Sequence, residues 1–196
     1  TDAAFSMQPG DRNTLVIDFG GGDVVTVHNT LESNSQDAIE NIFFFDDGVN
    51  LTMADLRTLL VDQQASTGDD AITGFNVQAD ELAGGTGRDV LRGLDGSDTY
   101  VYNAGDGHDV IEDDGFADTD VLQINGYSST DATFSQLPGA RDTLVIDLPG
   151  GDQVVLVNTL DGSSQDQIEQ FVFAGDGVTL TSADIRDMVV AAKATS

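Results

Sequence analysis

Cysteine and tryptophan are absent from this chain of 196 residues, and proline occurs only three times. Without cysteine there are no disulfide staples, no thiol nucleophile and no Cys-ligated zinc. Basic residues are equally scarce: 7 Lys and Arg stand against 35 Asp and Glu, a formal charge of -28, and the only lysine is Lys193. Nucleic acid and anionic membrane surfaces need clustered Lys or Arg, so both are poor partners. No apolar run approaches the roughly 18 residues of a membrane span, and no N-terminal signal pattern is present. Self-repulsion at this charge opposes a compact state unless cations neutralise it.

What the chain has in abundance is glycine and aspartate in register. From Gly84 the sequence reads GGTGRDVLR, then GLDGSDTYV from Gly93, then AGDGHDVIE from Ala104. Asp89, Asp98 and Asp109 recur at steps of nine and eleven, and Leu91, Tyr100 and Ile111 each follow two places later. The same phase continues upstream in Asp70 with Ile72 and Asp80 with Leu82, and downstream in Asp120 with Leu122. A disordered linker has no reason to keep large apolar residues in step with acids, so the pattern predicts short strands following tight turns. Glycine tolerates the left-handed, close-packed backbone that turns carbonyl oxygens toward one point. Carbonyls and carboxylates together suit a hard cation with flexible coordination, Ca²⁺ above all.

The stretch resembles the repeats-in-toxin (RTX), or haemolysin-type calcium-binding, family, whose repeat is GGxGxDxUx with U a large apolar residue. Gly84 to Arg92 fits every specified place. Leu94 departs at the second place of its unit and Ala104 at the first, while of the TGDDAIT stretch only Gly68, Asp70 and Ile72 fit. The resemblance implies a right-handed parallel β-roll in which about nine residues make half a coil, so that acids two units apart stack on one edge. It also implies ions sandwiched between the second, fourth and sixth places of one unit and the first, third and sixth of the unit two along, with only the sixth using a side chain. Carried over residue by residue, one site joins Gly68 and Asp70 to Gly84, Thr86 and Asp89, and another joins Gly85, Gly87 and Asp89 to Ala104, Asp106 and Asp109. On the other edge Asp80 meets Gly93, Asp95 and Asp98, although Asn76 and Gln78 stand where the turn wants glycine. A further pairing of Gly96 and Asp98 with the region of Asp120 is stretched, because that interval is 22 residues. About two to four calcium ions follow from this arithmetic.

A second repeat has a longer period. Shifted by 129 residues the chain overlays itself without a gap: Thr1 onward matches Thr130 onward, through Val61 and Val190, with more than half the paired positions identical. The expected organisation is therefore a flanking module over 1–63, a calcium roll over 64–124 and a second module over 125–196. Each module reads as a hairpin (TLVID, GGGD or PGGD, a Val-rich strand), an apolar strand (IENIFFF or IEQFVFA) and a short helix. Thr52 with Asp55, and Thr181 with Asp184, have the spacing of a helix-starting capping box, and Leu56, Leu59 and Leu60 are expected to face the core. Residues 3–62 and 132–191 resemble the haemolysin-type calcium-binding-related domain that flanks such rolls. Solenoid ends need caps, which these modules are placed to supply.

No catalytic constellation emerges. His28 is Val157 in the second copy, His108 occupies a variable turn place, and neither GxSxG nor HExxH occurs. The GGGD at Gly20 to Asp23 lacks the Lys and Ser/Thr of a phosphate loop and reads as a hairpin turn. Arg57 and Arg186 hold equivalent helix positions, where an ion pair with a local acid is the ordinary expectation. The leading expectation is a non-enzymatic, calcium-binding segment of a larger secreted or cell-surface bacterial RTX protein, folding on Ca²⁺ after type I export. The alternatives are a calcium-rigidified adhesin or surface-layer repeat that binds a glycan or neighbouring copies, and the C-terminal part of a secreted protease or lipase.

Overall fold

The computed structural model describes residues 3–32, 39–76, 78–115, 119–160 and 168–194. The protein is mainly β with two α-helices, and it divides into two units, Thr1–Gln63 and Gln64–Ser196.

The first unit carries β1 (Ala4–Gln8), β2 (Asp11–Asp18) and β3 (Val24–Val27) as an antiparallel meander. The GGGD segment is the β2–β3 turn, closed by Asp23 N donating to Gly20 O at 3.1 Å. A hairpin of β4 (Asn41–Phe44) and β5 (Val49–Thr52) leads into α1 (Met53–Asp62). Thr52 Oγ1 accepts the Asp55 amide while Asp55 accepts the Thr52 amide, so the expected capping box forms. Met53, Leu56 and Leu60 are buried with Phe5, Leu15 and Ile17, but Leu59 is 38 % exposed. At about 100° per residue Leu56, Leu60 and Met53 cluster on one side of the helix, and Leu59 falls off that stripe, which corrects the expectation for it. Arg57 Nε donates to Leu31 O at 2.5 Å, tying the helix to the loop after β3.

The second unit begins with six short strands that alternate between two sheets: β6 (Ala71–Thr73), β7 (Glu81–Ala83), β8 (Val90–Arg92), β9 (Thr99–Asn103), β10 (His108–Ile111) and β11 (Val121–Asn125). There follow β12 (Thr133–Gln136), β13 (Leu144–Asp147), β14 (Gln153–Leu156), β15 (Gln170–Phe173), β16 (Val178–Thr181) and α2 (Ser182–Ala194). One sheet runs β12-β13-β14-β10-β8-β6 and the other β16-β15-β11-β9-β7. Pairing is parallel from β6 through β8 and β10 to β14, and from β7 through β9 and β11 to β15. The antiparallel strands β12, β13 and β16 make both sheets mixed. Strands on either side of residue 124 thus share sheets, because β14 and β15 continue the two parallel ladders.

Register explains the apolar phase of the sequence. Ile72, Leu91, Ile111 and Leu156 are neighbours in one ladder, and Leu82, Tyr100, Leu122 and Phe171 in the other. All eight are at most 2 % exposed. Each such side chain contributes roughly 1.5–3 kcal/mol of burial, enough to hold strands as short as three residues.

The turns show where glycine is required. Gly85 and Gly105, at second places of their units, have φ of +80° and +94°. Leu94 holds the equivalent place at φ +75°. An L-residue there costs about 1–2 kcal/mol, part of which the half-buried leucine returns by packing. Leu94→Gly is therefore expected to raise the midpoint of thermal unfolding in calcium, by up to about 1 kcal/mol of stability. A lower midpoint would show that leucine packing outweighs backbone strain.

Candidate cation-binding ladders

The aspartates at the sixth places are interlocked. The Asp70 amide donates to Asp89 Oδ1 at 2.8 Å, and the Asp89 amide donates to Asp109 Oδ1 at 3.1 Å. On the other edge the Asp80 amide donates to Asp98 Oδ1, the Asp98 amide to Asp120 Oδ1 and the Asp120 amide to Glu169 Oε2, each at 2.8 Å. Each strand start is thus pinned to the carboxylate of the next coil. Asp89 and Asp98 are fully buried, Asp109 and Asp120 are 2 % exposed, and Asp80 is 8 % exposed.

Glycine makes room for these carboxylates. A Cβ on Gly84 would lie 2.3 Å from Asp89 Oδ2, and one on Gly93 would lie 2.1 Å from Asp98 Oδ2. Successive turns also press backbone against backbone. A Cβ on Gly87 would meet Gly68 O at 2.6 Å, one on Gly107 would meet Gly87 O at 2.5 Å, and one on Gly85 would meet Ser66 O at 2.9 Å. Gly96 has the same relation to Gln78 O. Gln78 therefore supplies, with its carbonyl, what Gly68 supplies on the first edge. The 22-residue step from Asp98 to Asp120 is likewise absorbed, since their hydrogen bond is as short as those at shorter intervals.

Other residues of the expected sites are engaged locally. Asp70 Oδ2 accepts the Ser66 amide and hydroxyl at 2.6 and 2.8 Å. Thr86 Oγ1 donates to Thr67 O at 3.2 Å. The Asp106 carboxylate turns back to the Asn103 amide at 2.7 Å while its carbonyl accepts from the Gly87 amide. The Ala104 amide donates to Asn125 O, and Asp95 is half-buried in its turn.

Asp113 is the carboxylate that sequence reasoning missed. Asp98, Asp113 and Asp120 each place an oxygen within 4.8 Å of the others, and all three are buried. Asp113 Oδ1 accepts the Tyr100 hydroxyl at 2.8 Å, and the Gly93 amide donates to the same hydroxyl. Asp113 Oδ2 and Asp89 Oδ2 are buried with no hydrogen-bond partner. The sequence carries only a faint trace of it: Asp113 lies inside the 22-residue interval from Asp98 to Asp120. Glu169, also missed, is the acid of the Ile-Glu pair shared by both modules.

Clustering of anions raises proton affinity. Burial, followed by the charge of Asp120, pushes the Asp113 carboxyl up to about 9. Burial, then Asp89, pushes Asp109 up to about 7. Asp89 is raised by burial and then by Asp70, against the lowering effect of the Asp70 amide. Burial first, and Asp113 second, lifts the Tyr100 phenol above its ordinary range. Carboxylates arranged this way hold a proton or a cation. Their oxygen-only donor set, with partnerless oxygens already desolvated, fits a hard divalent ion.

The family comparison agrees with that chemistry. A model of the haemolysin-type calcium binding protein related domain matches residues 144–184. The match runs from β13 into α2 and supports the RTX-like resemblance of the sequence, pointing to calcium as the cation. It leaves the aspartate ladder outside its bounds. No curated protein matches the chain. Among the described residues no helix is long and apolar enough to cross a membrane.

Proposed function

We propose that this chain is a calcium-binding structural segment of a larger secreted RTX protein, in which β6 to β11 with β14 and β15 form a right-handed parallel β-roll that orders on Ca²⁺ binding after type I export. The observation that carries the reading is the pair of buried, interlocked carboxylate ladders in a chain of charge -28. Without a cation, carboxylates stacked at hydrogen-bonding distance from successive strands repel one another in a desolvated setting. Ca²⁺ converts that repulsion into attraction, so its binding free energy becomes folding free energy. Residues 68–70, 84–89 and 104–109 hold ions on one edge, and Asp80, Gly93, Asp95, Gly96, Asp98, Asp113 and Asp120 on the other. In a calcium-poor cell the chain stays extended enough to cross a secretion channel, and external calcium folds it.

Far-UV circular dichroism during a calcium titration tests this, with a large gain in β signal expected between chelator and millimolar Ca²⁺. A spectrum that is the same in both overturns the folding switch. Protons provide the second arm. Asp109 and Asp113 have carboxyls raised in the folded state above their unfolded values, so the folded chain binds protons more tightly. The stability they contribute is full below about pH 4 and is lost as pH rises through about 7 and then about 9. In chelator, lowering pH from about 8 to about 5 should restore part of the β signal, whereas in calcium the same change should weaken ion binding. A chelated chain indifferent to this change would contradict the electrostatic origin of the switch.

A further inference from the structure

The two modules are near copies in sequence, yet among the described residues only the second has its strand edges filled. In the second module β14 lies beside β10 and β15 beside β11. Its Gln153 amide donates to Gly107 O and Val157 to Ile111 O, while Gln170 donates to Asp120 O and Ala174 to Ile124 O. Two carboxylates complete the seat: Asp152 accepts the Gly105 amide at 2.6 Å, and Glu169 accepts the Asp120 amide. Val154 and Phe171 are fully buried and Ile168 is 1 % exposed.

The 129-residue shift places the same equipment on β3 and β4 of the first module. Asp23 and Glu40, the counterparts of Asp152 and Glu169, are exposed. Val25, the counterpart of Val154, is 48 % exposed, and Ile39, the counterpart of Ile168, is 41 % exposed. Phe19, where the second module has the buried Leu148, is 45 % exposed. In their sheets β3 is the end strand beside β2, and β4 pairs with β5. A strand edge left open in this way, apolar along its inner face, is a template for another strand.

We propose that β3 and β4 of the first module are a docking edge for the last coil of a second Asp-x-apolar parallel ladder, seated as β10 and β11 are seated on β14 and β15. The occupant is defined by chemistry: two parallel strands whose carbonyls meet the amides of Val24, His28, Asn41 and Phe45, and whose turn amides meet Asp23 and Glu40. Within the chain the ends of β10 and β11 are already occupied, so the partner ladder is an additional one. The first module is then a connector between successive rolls. This inference rests on strand pairing and not on the identity of the ion.

A second copy of residues 64–129 placed ahead of Thr1 in the full chain reproduces the Ser129–Thr130 junction as Ser129–Thr1. Hydrogen exchange in calcium is then read by mass spectrometry over segments 24–28 and 41–45. Exchange there should slow by about a hundredfold relative to the 196-residue chain, approaching that of segments 153–157 and 170–174. The double substitution Asp23→Asn, Glu40→Gln in the extended chain should reduce this protection. Unchanged exchange at 24–28 and 41–45 while 153–157 stays protected overturns the docking edge. Loss of protection at 153–157 as well would instead indict the roll itself. Protection already present in the 196-residue chain, and dependent on its concentration, would overturn this occupant in favour of a second copy. A transplant reads the same question without added coils: residues 1–63 replace 130–192 in the full chain. If the first module carries the docking face, the calcium midpoint stays within about threefold; a chain that no longer orders in calcium overturns the proposal.

Discussion

Replacing Asp89 by asparagine is expected to raise the calcium concentration needed for half-folding by about tenfold or more, while leaving the metal-free chain as stable as before or slightly more so. The two signs come from the same geometry. Asp89 is fully buried, its Oδ1 accepts the Asp70 amide, its own amide donates to Asp109 Oδ1, and its Oδ2 has no partner. Without calcium the charge is a burden, with Asp70 and Asp106 adding to it. An asparagine of nearly the same shape keeps an oxygen for the Asp70 amide and removes the charge, which relieves the apo state. With calcium the balance reverses, since in the proposed arrangement the carboxylate stands between two successive ion sites and serves both. The number of bound ions, read by calorimetry, should fall by more than one. Asp95→Asn is the control: Asp95 is half-buried and offers only its carbonyl in the proposed arrangement, so its effect should be small. An Asp89→Asn chain with an unchanged calcium midpoint and ion count would mean that the first ladder is not the ion-binding edge.

The features readable in the sequence were those written in a local period. Asp-x-apolar spacing placed Ile72, Leu82, Leu91, Tyr100, Ile111 and Leu122 in two buried columns, because each ladder neighbour is another copy of the same short pattern. The capping boxes at Thr52 and Thr181 were likewise local, three residues from donor to acceptor. Non-local pairing was not legible. Val25 and Val154 sit in nearly the same sequence context, yet one is about half exposed and the other fully buried, because β14 has β10 beside it while β3 is an end strand. Asp113 escaped for a related reason. Its meaning lies in Asp98 and Tyr100, which reach it from another coil, and not in its own neighbours. Gln78 illustrates the converse, a departure from the repeat pattern that keeps the close approach of successive turns. The turn there needs a carbonyl in a given place, and glutamine provides one.

The close approach of Gln78 O leads to the most damaging glycine substitution expected among the described glycines, Gly96→Ala. Gly96 has φ +143°, and a Cβ built on it would lie 1.7 Å from Gln78 O and 2.6 Å from the attached carbon. Both clashing atoms are backbone, so no side-chain rotation relieves them. The coils must separate just where β7 and β9 begin their parallel pairing at Glu81 and Thr99. Separation also pulls the Asp80 amide away from Asp98 Oδ1, opening the second carboxylate ladder. A cost of about 3 kcal/mol or more is expected in calcium, lowering the unfolding midpoint by roughly 10 °C. Gly105→Ala separates sterics from conformation. Its φ is +94°, but nothing lies within 4 Å of the added atom, so it should cost only the left-handed penalty of about 1–2 kcal/mol. Equal midpoints for the two variants would show that the turns of this edge do not approach as closely as Gly96 and Gln78 require. A much lower midpoint for Gly96→Ala, with calcium affinity reduced along with it, would tie the close approach of the coils to ion binding on the Asp80 and Asp98 edge.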